Sequence, residues 1–169
     1  MDFDYAILFM SRDWIVANSL SLIYLIICLL VGKYSSKKNV KRFAEYFVFL
    51  FILIYFIYHM LHVYEGTWTL NKRLPLHLCG ITSVITCFIL FIDKKQFWFE
   101  FLFYAGILGG LNALYTPLID NYTGVDFFYY EYFYSHTSII ILPLYMYYYM
   151  GMNLSKYSWL KSFLFINLL

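Results

Sequence analysis

The chain has 169 residues, 63% of them hydrophobic and 13% charged, with a formal net charge of +2. Soluble domains are about half apolar and about a quarter charged, so this composition excludes an ordinary soluble fold. The net charge by itself argues neither for nor against nucleic acid, the positive charge is clustered, and no nucleic-acid partner is expected.

A membrane-crossing helix needs about 20 mostly apolar residues. Five runs meet that length: Trp14 to Gly32, Phe43 to Tyr64, Leu74 to Ile92, Phe97 to Ile119, and Ser135 to Met152. A sixth begins near Ser162 and reaches Leu169, too short to span. A bilayer offers no partner for a half-inserted end, so truncation at the C-terminus is expected. The predicted fold is all-α: a polytopic transmembrane helical bundle of five full spans plus a partial sixth. It forms a single integral membrane domain over residues 1–169.

Loop charge sets the expected orientation, because short loops rich in Lys and Arg stay on the cytoplasmic side. The stretch "KYSSKKNVKR" carries five such residues, "DKKQ" carries two, and Lys156 and Lys161 add two more. Arg12, Lys72 and Arg73 lie on the other side. The N-terminus is therefore expected outside. The fourth connection, "DNYTGVDFFYYEYFYSH", has acids and aromatics but no Lys or Arg, and reads as an outer, interfacial loop.

In that topology the polar groups of four spans fall in one layer, near the outer face. The second span ends with His59 and His62, and the third begins with His77 and Cys79. The fourth carries Asn112, Tyr115 and Thr116 in its last third, and the fifth begins with Ser135, His136 and Thr137. Residues three or four apart share a helix face, so His59 and His62 are neighbours, as are Cys79, Thr82 and Ser83. His77 and Cys79, two apart, point nearly opposite ways on a regular helix. His136, from another span, is the better candidate base for Cys79.

Pro75 suits a first helical turn, which places Cys79 about one turn in. There the helix dipole favours a thiolate while apolar burial opposes it. Each group also has a plainer reading. Cys28 and Cys87 lie inside apolar runs and read as small packing residues. Gly106, Gly109 and Gly110 fit close helix approach, Asn112 fits interhelical bonding, and Pro143 fits a kink. No paired cysteine motif points to a metal site or a disulfide framework.

At "LPLHLCGI" and "YSHTSIIILP" the chain resembles the YwaF-like bacterial membrane proteins, related to transmembrane protein 164. The resemblance runs from the second span to the fifth. It implies a bacterial cytoplasmic membrane and a cysteine-dependent acyltransferase or acyl hydrolase. Membrane lipids or lipid-derived acyl groups would be the substrates, and no cofactor or metal would be needed. Carried over, Cys79 is the nucleophile, His136 its base, and His77 a site residue of unassigned role. His59 and His62 would support the site, and Asn112 or Tyr115 would donate to the oxyanion.

Two other readings remain. A transporter or small-ligand binder would use the four histidines to relay protons or to hold a metal or haem. A structural subunit would use none of them.

Overall fold

The computed structural model describes residues 4–70, 74–120, 124 and 126–168. In chain order these form strand β1 (Asp4–Ala6) and helices α1 (Arg12–Tyr34), α2 (Lys37–Tyr64) and α3 (Leu78–Phe88). Helix α4 (Gln96–Tyr115), strand β2 (Leu118–Asp120), α5 (Phe127–Tyr149) and α6 (Ser158–Ile166) complete the order. Apart from the two three-residue strands the elements are helical. Three helices are long and apolar enough to cross a membrane: α1, α2 and α4.

Helix α1 starts where Ser11 Oγ accepts from the Trp14 amide at 3.3 Å, a side-chain N-cap. Its buried residues are Ala17, Ser21, Cys28 and Gly32, a seam of small side chains spaced by four and seven. Small residues let helix backbones approach inside a bilayer, where apolar burial gives no drive for association. A Cβ on Gly32 would run into the rings of Tyr149 and Tyr145. The outward face of α1 carries Ile15, Leu20, Leu22, Ile23, Ile26 and Ile27, and only 22% of its apolar window is buried. Such a face is at home in lipid.

Helix α5 is the hub. It packs against α1, α2, α3 and α4 and buries most of its length, from Tyr129 to Met146. Burial lets it carry Ser135, Thr137 and Ser138 at membrane depth. Thr137 Oγ1 donates to the Phe133 carbonyl at 2.6 Å, Ser135 Oγ to the Tyr132 carbonyl at 3.1 Å, and Ser138 Oγ bonds Tyr24 Oη at 3.3 Å. Each of these polar groups is thus satisfied within the bundle, as a water-free interior requires.

Of the five expected spans, the first, second and fourth correspond among the described residues to helices long and apolar enough to cross a membrane. Helix α5 has 23 residues, but its tyrosines and polar side chains take it below the hydropathy of a lipid-facing span. It starts at Phe127 rather than Ser135, so the supposed fourth loop is largely its first two turns. The third run yields only α3 and a 3₁₀ turn at Ile89–Phe91. That piece is about 22 Å long against a hydrocarbon core of about 30 Å. Lys72 and Arg73, two of the three cations that set the outer side, lie outside the described residues, as does Leu169.

A wide π-helical turn at Leu102–Gly106 interrupts α4. Beyond it Gly106 and Gly110 press against α5. A Cβ on Gly106 would stand 2.7 Å from the Ile139 carbonyl oxygen. On Gly110 it would stand 2.7 Å from Ile140 Cγ1 and 2.8 Å from the His136 carbonyl oxygen. Gly109 has ordinary room, with Cys79 Sγ at 3.4 Å. Gly110→Ala is expected to destabilise the protein by about 1–3 kcal/mol through overpacking, and Gly109→Ala to be near neutral. Thermal unfolding of both variants in nanodiscs compares them directly.

Candidate functional site

A cavity of about 390 Å³ lies where the C-terminal ends of α2 and α4 meet the N-terminal ends of α3 and α5. All four histidines line it, together with Cys79 and Asn112. The third helix begins later than the sequence suggested. Leu74 and Leu76 close a tight turn around Pro75, with the Leu76 amide donating to the Leu74 carbonyl at 2.7 Å. His77 is the extended N-cap (φ −81°, ψ 157°), and Cys79 is the second helical residue rather than one turn in. The helix-based expectation that His77 and Cys79 point apart therefore does not apply: from a cap and a first turn, both side chains reach the cavity.

His77 makes no side-chain cap bond. Among the described residues the amides of Leu78, Cys79 and Gly80 have no acceptor, as expected of a helix start. The thiol of Cys79 is half-buried and packs beside Gly109 of α4. Among the described residues it makes no hydrogen bond, to His136 or to any other group.

His136 is held from behind. Its Nδ1 lies 2.7 Å from the Tyr132 carbonyl oxygen, four residues earlier, and its ring lies 4.2 Å from the Tyr132 ring. A carbonyl only accepts, so Nδ1 carries the proton and Nε2 keeps the lone pair in the neutral ring. Ser135 Oγ lies at 3.5 Å from the same nitrogen. His77, Cys79 and Tyr132 line the same cavity as His136.

The other two histidines are wall and brace. His62 is buried, bonds Thr67 Oγ1 through Nδ1 at 2.7 Å, and stacks on Phe128 at 4.4 Å. This folds the chain back after α2. His59 Nδ1 accepts from Trp68 Nε1 at 3.2 Å, and its ring meets Tyr55 edge-on at 4.7 Å. Asn112 offers its amide to the cavity, with no side-chain bond among the described residues. Tyr115 is a correction. It is exposed, its ring lies against Phe9 at 5.1 Å, and it is not part of the cavity wall. It sits three residues from Asn112, but α4 is ending there and the ring turns outward.

Tyr132 and Glu131 also line the cavity, and sequence reasoning missed both by assigning them to a loop. Tyr132 lies four residues before His136, a same-face spacing that was available once the helix was extended. Its hydroxyl donates to the Ala113 carbonyl at 3.2 Å and accepts from the Leu118 amide at 3.3 Å. The last carbonyls of α4 are all answered in this way. Thr116 Oγ1 reaches Asn112 O at 3.0 Å, Asn18 Nδ2 reaches Leu114 O at 3.2 Å, and Trp14 Nε1 reaches Tyr115 O at 3.0 Å. The β1–β2 ribbon, with Tyr5 opposite Ile119, then places Leu118 and Ile119 on the cavity wall. Among the described residues no three His, Cys, Asp or Glu side chains converge as a metal-ligand set.

A cavity lined by histidines between helix ends, beside helices long and apolar enough to cross a membrane, defines the class: an integral membrane protein. A family model described as the TMEM164 family matches residues 8–169, and the chain belongs to that family. The match does not distinguish a finer YwaF-like grouping. No curated protein and no solved structure is significantly similar to the chain.

Tyr132→Phe keeps the ring beside His136 but removes the bridge between the end of α4 and β2. It is expected to cost about 1 kcal/mol, the usual net worth of such a bond. Unfolding in detergent reads that cost. Faster hydrogen exchange at the Leu118 amide in the same variant would locate it.

Proposed function

We propose that this chain is a membrane-embedded lipid acyltransferase or acyl hydrolase, with Cys79 as nucleophile and His136 as general base. The observation that carries the reading is that a thiol on a first helical turn and an imidazole fixed through Nδ1 line the same cavity. Helix starts favour thiolate, and an imidazole with a free Nε2 is set to take a proton.

In this mechanism Nε2 of His136 removes the Cys79 proton as sulfur attacks the ester carbonyl of a lipid. The carbon–sulfur bond forms and the tetrahedral oxyanion collapses. The alcohol leaves with the proton that His136 returns. An acyl-thioester remains on Cys79, and water or a second lipid hydroxyl, deprotonated by His136, resolves it. Asn112 and the free amides at the start of α3 supply donors for the oxyanion. Thiol and imidazole are not hydrogen-bonded without substrate, and the mechanism requires that they come within reach when it binds. His77 stands beside this pair as a substrate-contacting residue, and His59 and His62 hold the wall around it.

The protein is proposed to lie in a bacterial cytoplasmic membrane with its N-terminus and the cavity toward the outer face. The loop between α1 and α2, with its five cations, would then be cytoplasmic.

Incubation with a phospholipid ester followed by intact-protein mass spectrometry should trap a hydroxylamine-labile acyl adduct on Cys79. Cys79→Ser and His136→Gln should each lower turnover by about 100-fold or more, the usual scale for losing a nucleophile or its base. Full turnover in either variant, or an adduct confined to Cys28 or Cys87, rejects the assignment. Orientation is read separately by alkaline phosphatase fusions. A fusion at Ser35 should be inactive and one at Gly124 active, and the reverse pattern inverts the topology.

A further inference from the structure

An apolar groove of about 420 Å³ runs beside the polar cavity. Met60 and Val63 of α2 form one side, and Trp68, Leu74 and Val84 the other. The groove shares Tyr55, His59 and Pro75 with the cavity that holds Cys79 and His136, so the two spaces meet at a common wall. The polar residues at that wall are Tyr55 and His59.

The surroundings of α2 show what covers the groove. This helix is of membrane-spanning length, and its outward face, with Leu53, Phe56, Ile57 and Met60, is exposed. The solvent of such a face is hydrocarbon. Met60 and Val63 belong both to the exposed surface of α2 and to the groove, so the groove opens where lipid tails already lie.

We infer that this groove seats the acyl chain of a membrane lipid, with its ester end turned past Tyr55, His59 and Pro75 toward Cys79. The inference rests on the acyl-transfer reading of the cavity and adds where the chain of the substrate goes. Lipid tails are as apolar as the groove walls, so moving a chain from the bilayer into the groove gains little by water exclusion. The groove acts by shape, through close contacts along its length. The Trp68–His59 hydrogen bond, 3.2 Å, fixes the indole as a rigid outer wall on a stretch of chain that is not helical.

A phosphatidylcholine carrying a diazirine near the methyl end of one acyl chain tests this in nanodiscs. Photolysis and peptide mapping are run on the unmodified protein and on Cys79→Ala, Val84→Trp and Met60→Trp. Adducts are expected on Met60, Val63 and Val84 at severalfold the level on Leu22 and Ile26 of α1, equally in the unmodified protein and in Cys79→Ala. Val84→Trp fills the groove from one side, and Met60→Trp fills it from the exposed side without entering the core. Each should lower groove labelling severalfold while α1 labelling stays unchanged. Labelling that is uniform over α1 and the groove, or indifferent to Met60→Trp, overturns the inference. Crosslinking needs no turnover. A failed acyl-adduct experiment with groove labelling intact therefore removes the chemistry alone, and the reverse outcome removes the groove alone.

Discussion

The close seam between α4 and α5 holds the rest of the structure in place. Pro143 has no amide hydrogen, so the Ile139 carbonyl loses its usual helical donor. Gly106 stands against that carbonyl, and one turn further Gly110 stands against the carbonyl of His136. Side chains at these positions would push the helices apart. With hydrogen there, two backbones touch at the depth where His136 leaves α5 for the cavity. Gly109, on the next face, lies beside the thiol of Cys79. The same short stretch therefore sets the distance of α4 from both Cys79 and His136.

Around that seam the bundle solves a problem every helix end in a membrane must face. Backbone groups at a terminus have no partner inside the helix, and hydrocarbon supplies none. At the end of α4 the donors come from Thr116, Tyr132, Asn18 and Trp14, drawn from three parts of the chain. At the start of α3 the amides of Leu78, Cys79 and Gly80 find no acceptor among the described residues. One terminus is sealed by side chains from the bundle, and the other, which carries Cys79, is not.

Much of the site was legible in the sequence because hydropathy and loop charge place residues by depth. His59, His62, His77, Cys79, Asn112 and His136 come from four helices and their ends, and all of them reach one cavity. Depth alone does not give direction. Tyr115 shares the sequence neighbourhood of Asn112 but turns outward at the end of its helix. His77 and Cys79 were judged by helical spacing, whereas His77 lies before the helix begins. The largest error concerned the start of α5. Its first turns are tyrosine-rich and include Glu131, so average hydropathy reads them as a loop. They are helical because they are buried against neighbouring helices, which a single-segment average cannot register. The β1–β2 ribbon escaped notice because three residues carry no pattern.

The wide turn at Leu102–Gly106 has a geometric meaning of its own. A π turn accommodates one extra residue within an otherwise ordinary helix, and each added residue rotates the remainder of that helix by about 100°. The helix before the turn faces Phe99 and Phe101 into the core, and the helix after it aims Asn112 at the cavity. Deleting any one residue of that turn would regularise the helix and swing Asn112 more than a quarter of the way around it. Length is therefore as tightly constrained in this stretch as the identity of Gly106, which has no room for a side chain.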